Sequence, residues 1–123
     1  HILTFTEILE IAQEYDERIL PYVERAWQED DIMNLMDDEY MGYTLVTLSV
    51  ALWAFWHSTS FTEGLLKVVN AGGDADTNAA VACAILGAKY GFGAIPKEYV
   101  DGLIYNSQLE EVVESLTQLC IKE

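Results

Sequence analysis

The residues best suited to do chemistry stand in one run, Asn70-Ala-Gly-Gly-Asp-Ala-Asp-Thr-Asn78. Its two glycines admit positive φ and a close backbone approach. Two carboxylates come next, at i and i+2. In extended chain such side chains point the same way, whereas inside a helix they diverge by about 200°. The spacing therefore predicts a loop through Asp74–Asp76 and a helix starting near Thr77. Two carboxylates and a hydroxyl form an all-oxygen set of hard ligands, suited to Mg²⁺, Mn²⁺ or Ca²⁺ and not to zinc. The same residue types are ordinary helix N-caps, and spacing alone favours that commoner role. An EF-hand is excluded, because Ala79 stands where its turn glycine belongs and Ile85 where its last glutamate belongs.

The segment after the acids gives them weight. Asn78–Ala88 carries no charge and is rich in small residues. Ala80, Ala84, Gly87 and Ala88 recur at i, i+4, i+7 and i+8, a stripe that neighbouring helices can approach closely. The reading is a central helix holding a double acid at the mouth of the core, where carboxylates are costly unless paired or metal-bound.

The elements around it read as all-α, with six or seven short helices and no internal repeat. Thr4-Phe-Thr-Glu7, Ser60-Phe-Thr-Glu63 and Ser107-Gln-Leu-Glu110 each have the form of a capping box. Ile8, Ile11, Ala12, Tyr15 and Ile19 succeed the first at helical spacing, until Pro21 ends or kinks the helix. Val23, Ala26 and Trp27 continue in a further turn or two. Residues 29–40 are acidic and weakly periodic, a loop with one short helix. Thr47–His57 is strongly apolar; Val46, Leu48, Val50 and Leu52 alternate as in a strand, but the run is continuous through Phe55 and is assigned to a buried helix. Gly91 fits a left-handed helix end, and Pro96 opens a short helix to Leu103. The last helix reaches Cys120.

Composition bounds the function. The chain has 123 residues, 51% of them hydrophobic, and a formal net charge of −15. One domain over residues 1–123 is expected, with enough apolar residues for a real core. Residues 1–40 hold 12 acids against two arginines, and residues 41–123 hold nine acids against four lysines. This is one domain with an acidic N-terminal face. Such a balance argues against direct nucleic-acid binding and against docking on an anionic membrane. Cys83 and Cys120 make no disulfide framework, which favours a reducing, cytoplasmic location. No apolar window reaches membrane-span length, and no signal-peptide pattern opens the chain. The first residue is His1 rather than Met, which allows a piece of a longer protein.

Taken with its flanks, the acidic run resembles the C-terminal metal motif of the ADP-ribosylglycohydrolases. The resemblance is carried by Gly72-Gly73-Asp74-Ala75-Asp76-Thr77, the alanine-rich helix after it, Gly91 and Ile95-Pro96. Upstream, Gly42-Tyr43, Thr47-Leu48, Ala51-Leu52-Trp53-Ala54-Phe55, Phe61 and Val69-Asn70 are similar to the family's preceding segments. It extends over residues 42–103. It implies an all-α, orthogonal multi-helix fold and a dinuclear Mg²⁺ or Mn²⁺ centre. It also implies cleavage of the glycosidic bond between ADP-ribose and a modified acceptor. Asp74, Asp76 and Thr77 would be metal ligands, with Asp76 bridging the ions. Gly42, Tyr43, Gly72 and Gly73 would lie beside the ADP-ribosylated substrate.

The chain also departs from that family. The N-terminal glycine-rich segment with its catalytic acid is missing, and so is the Thr/Ser-Asp-Asp-Thr/Ser motif with the other ligands. Tyr40 replaces the first glycine before Gly42-Tyr43. Met36-Asp37-Asp38-Glu39 has paired acids without flanking hydroxyls and reads as a solvated loop. No general acid or base is assigned. The expectation is part of a family domain, inactive alone, forming a homo-oligomer or pairing with a separate N-terminal half. The competing readings are a non-enzymatic helical interaction module and an Asp-x-Asp transferase fragment, which requires a parallel sheet. His57 reads as a helix-end histidine, Trp53, Phe55 and Trp56 as core aromatics, and Cys120 as no nucleophile.

Overall fold

The computed structural model describes residues 3–36, 39 and 41–121. Seven α-helices succeed one another: α1 (Phe5–Tyr15), α2 (Leu20–Gln28), α3 (Thr44–His57), α4 (Phe61–Ala71), α5 (Ala75–Tyr90), α6 (Lys97–Asp101) and α7 (Asn106–Cys120). Short 3₁₀ turns at Glu17–Ile19, Ile32–Leu35 and Phe92–Ala94 join some of them. The all-α expectation holds. No strand occurs among the described residues, which removes the transferase reading.

The helix at the centre is α3. Eight of its 14 residues are buried, so it is surrounded by neighbours and not laid on a surface. It packs against α2, α4 and α5, and Ser49, Ala51 and Ala54 keep its girth small. The Ser49 hydroxyl donates to the Val46 carbonyl at 2.8 Å, which satisfies its polar group inside the core. Trp53 is buried and donates its indole N–H to the Glu29 carbonyl at 2.8 Å. His57 stacks on Trp53 and lies 3.1 Å from the Ala26 carbonyl through Nε2. Phe5, Trp27 and Trp56 close the α1–α3 side, with Phe5 and Trp27 stacked at 4.9 Å and Trp27 edge-on to Trp56 at 5.3 Å. Trp53 lies in the core and Trp56 packs against it, as the sequence predicts, whereas Phe55 is only half-buried, with the Lys89 ammonium 5.1 Å from its ring centre.

The caps divide. Thr4 forms a full capping box: Glu7 N–H donates to Thr4 Oγ1 at 3.3 Å and Thr4 N–H donates to Glu7 Oε2 at 2.7 Å. At α4 only half of it forms. Glu63 N–H donates to Ser60 Oγ at 3.1 Å, but the Glu63 carboxylate accepts from Thr59 N–H at 2.8 Å, one residue further back. The third box does not form. α7 begins at Asn106, which puts Ser107 inside the first turn and leaves Tyr105 as a left-handed cap with φ 65°. Pro21 does not end α1 either. The helix stops at Tyr15, and Pro21 sits in the first turn of α2, where a missing N–H costs nothing.

Two packing features correct the sequence reading of α5. Its buried face is Asn78, Ala82 and Leu86, while Ala80, Ala84 and Ala88 are exposed. The small-residue stripe therefore faces away from the core formed here. Close approach comes from the other partner, Gly64 on α4. A Cβ at Gly64 would lie 2.6 Å from Leu86 Cδ1 and 2.9 Å from Ser58 Oγ.

Candidate metal centre

The Gly72-Gly73 pair reverses the chain between α4 and α5. Both glycines have positive φ, 79° and 61°. The reversal is complete by Asp74, so α5 starts at Ala75 and not near Thr77. Asp74 occupies the N-cap position, and Asp76 and Thr77 lie in the first turn. The expected loop through Asp76 is thus a helix start. Both acids nevertheless stand at this one helix start. The Asp76 carboxylate is held below its ordinary pKa by the Thr77 backbone N–H, then by the Asp74 carboxyl and its own N–H. A helix N-terminus favours this negative charge.

A second loop comes up against the first. Gly42 has φ 82°, and a Cβ there would stand 3.5 Å from Asp74 Oδ2. Gly42 and Asp74, 32 positions apart, are therefore neighbours. Tyr43 caps α3 with its backbone, its carbonyl accepting from Val46 and Thr47 N–H at 3.0 and 3.2 Å. Its ring lies edge-on to Tyr22 at 6.0 Å. A Cβ on Gly73 would approach Met36 Sδ at 3.9 Å, whereas one on Gly72 would meet nothing within 4 Å. Asp37, Asp38 and Tyr40 lie outside the described residues.

Under the turn is a cavity of about 10 Å³, lined by Met36, Gly42, Val46, Gly73, Asp74 and Asn78 among others. Asn78 is 2% exposed, and its Oδ1 has no hydrogen-bond partner. Sequence reading missed Asn78 as a site residue. The available signal was a single polar residue one turn after Asp74, in line with Ala82 and Leu86.

The donor set fits a hard divalent cation. Asp74 and Asp76 supply carboxylates and Thr77 a hydroxyl, with no sulfur or imidazole among these donors. No cluster of three or more His, Cys, Asp or Glu suited to a metal occurs among the described residues. At this turn the described residues supply two carboxylates.

The described residues thus form an all-helical unit with two aspartates at a Gly-Gly turn and a second glycine loop beside them. The chain belongs to the ADP-ribosylglycohydrolase family, whose model matches residues 3–123. An ADP-ribosylarginine hydrolase Tri1 of Serratia proteamaculans is 37% identical over 82 residues, 67% of this chain and 22% of that protein. An uncharacterised protein of Archaeoglobus fulgidus is 36% identical over 116 residues, 92% of this chain and 37% of its own length. The ADP-ribosyl-[dinitrogen reductase] glycohydrolase of Rhodospirillum rubrum is 36% identical over 62 residues, 50% of this chain and 21% of that enzyme. The chain thus spans well under half the length of the curated relatives it matches. No solved structure matches it significantly.

Proposed function

We propose that this chain is the metal-carrying, C-terminal part of an ADP-ribosylglycohydrolase that releases ADP-ribose from a modified acceptor with Mg²⁺ or Mn²⁺. The observation that carries the reading is the placement of Asp74 and Asp76 together at the start of α5, with Gly42 against Asp74. Membership of the family and the activities of the relatives named above supply the substrate class. Arginine is a natural first acceptor to try, since the Serratia relative is an ADP-ribosylarginine hydrolase.

Asp74, Asp76 and Thr77 would hold the metal. The ion would polarise ribose hydroxyls or a water and offset repulsion between a pyrophosphate and a protein of net charge −15. Gly42 brings bare backbone up to Asp74, because no side chain intervenes. Gly72 and Gly73 turn the chain just before Asp74, and Tyr43 follows Gly42 with its ring against Tyr22. Asp76 stays ionised to below the ordinary carboxylate range, so the ligand is charged at any physiological pH. The remaining ligands and the catalytic acid or base would come from outside these residues.

A second reading is an association module. It is favoured by a groove of about 720 Å³ among Phe61, Leu65, Cys83, Phe92, Leu109 and Val113. α7 has no buried residue, and Leu109, Val112, Val113, Leu116 and Leu119 are all exposed. Such surface drives pairing with a copy or with an N-terminal half.

Native mass spectrometry across a Mn²⁺ titration, with Asp76→Ala beside the wild-type chain, tests the first reading. Metal uptake that the substitution abolishes is expected, followed by ADP-ribose release from ADP-ribosylarginine once an N-terminal half is supplied. Uptake indifferent to Asp76 would reduce the run to a helix cap. Vigorous metal-dependent release by the chain alone would refute its incompleteness.

A further inference from the structure

We propose that Asn78 is a positioning residue for the cation site, its Oδ1 holding one water that fixes the Asp74 carboxylate. The proposal rests on the metal reading above and adds to it a part that the paired acids do not contain. Asn78 is only 2% exposed, and its Oδ1 accepts no hydrogen bond from the protein. A buried acceptor without a donor is destabilising, and a native fold keeps one where a water or ligand satisfies it. The cavity that Asn78 shares with Asp74 and Gly42 has about 10 Å³ of space, close to the room one water needs.

The chemistry selects water. Asn78, whose amide oxygen is an unpaired acceptor, and Asp74, which carries a carboxylate, line one small space. A molecule satisfying both must donate twice, and water does so with its two hydrogens. A hydrated divalent cation is too large for the cavity. The cation therefore belongs on the outer side, where Asp76 and Thr77 are exposed. Asp74 lies between the two, water on one side and metal on the other.

The backbone holds this register. Asn78 N–H donates to the Asp74 carbonyl at 2.9 Å, so the two residues are one helical turn apart on the same element. Gly42 keeps the opposite wall open, since a Cβ there would stand 3.5 Å from Asp74 Oδ2. A water-bridged partner of this kind orients a ligand without touching the metal. Loss of such partners typically weakens metal affinity by about 10–100-fold.

The test is Mn²⁺ titration by electron paramagnetic resonance on the wild-type chain, Asp76→Ala, Asn78→Leu, Asn78→Ala and Asn78→Asp. Thermal melts in chelator accompany each. Asn78→Leu is expected to weaken Mn²⁺ binding about 10–100-fold. Its metal-free melting temperature should stay near wild type, since leucine replaces the amide and its water with apolar bulk of similar shape. Asn78→Asp keeps an acceptor and should retain wild-type affinity or better. Asn78→Ala removes the oxygen without adding apolar bulk, and stands in if the leucine variant does not fold. Wild-type affinity in both truncations, with Asp76→Ala abolishing binding, would overturn the role of Asn78 and leave the metal site standing. Absent binding in the wild type, or unchanged binding in Asp76→Ala, would overturn the metal reading and this proposal with it.

Discussion

Replacing Gly64 by alanine should destabilise the protein, although alanine is the better helix former. Gly64 lies inside α4, where the exchange alone would favour folding by about 1 kcal/mol. Its new methyl, however, would stand 2.6 Å from Leu86 Cδ1, 3.1 Å from Leu86 Cδ2 and 2.9 Å from Ser58 Oγ. The first two are the tips of a side chain that could swing aside on a surface. Leu86 is fully buried and Ser58 is 5% exposed, so neither has anywhere to go without moving α5 away from α4. Overpacking of this kind costs about 1–3 kcal/mol. The clash outweighs the helix gain and leaves a net loss on the order of 1 kcal/mol, a fall in melting temperature of roughly 3–6 °C for a chain of this size. Differential scanning calorimetry of the wild type, Gly64→Ala, Leu86→Ala and the double variant measures it. Leu86→Ala alone should cost about 2–5 kcal/mol. In the Gly64→Ala background it should cost less, because the truncation frees the space the methyl needs. A Gly64→Ala protein that melts at or above wild type, or strict additivity with Leu86→Ala, would refute the α4–α5 contact as the tight point of the fold.

Three further outcomes are expected. Thr4→Ala removes the reciprocal cap of α1 and should cost about 1 kcal/mol in urea unfolding, with m unchanged. Glu63 is held down to about 2 from an ordinary 4.5 by the Lys67 ammonium, the Thr59 hydroxyl and the Thr59 N–H. A lowered carboxylate contributes stability in full above its unfolded value and loses it as pH falls through the folded one. Glu63→Gln should therefore flatten the stability profile between pH 4.5 and about 2, and an unchanged acid limb would count against the contact. Asp16, held to about 2 by Arg18, should supply part of the limb that remains. Trp53→Phe leaves the Glu29 carbonyl without its 2.8 Å donor and should lower stability by about 1–3 kcal/mol, read from denaturant midpoints.

Local chemistry was legible from residue order. Thr4 and Ser60 lie where caps form because an N-cap needs only its own next turn. Gly91 ends α5 at φ 83°, as a residue without a Cβ can. The apolar run of α3 is buried because no face of it is polar enough to sit in water. The Gly-Gly-Asp-Ala-Asp-Thr run points by residue type and order to hard-ligand chemistry and to the family.

The rest needed the tertiary structure. α5 is apolar and small on every side, so its 3.6-residue period carries no phase, and the stripe chosen from the sequence is the exposed one. Only packing against α3 and α4 turns Asn78, Ala82 and Leu86 inward. Gly64 reads as an ordinary helix interruption until Leu86 is beside it. Ser107 has every local mark of a cap, yet the helix starts one residue earlier at Asn106 and leaves it inside the first turn. Gly42 comes up to Asp74 and Asn78 only because two loops far apart in the chain close on one cavity, and contact at that separation is set by how helices pack.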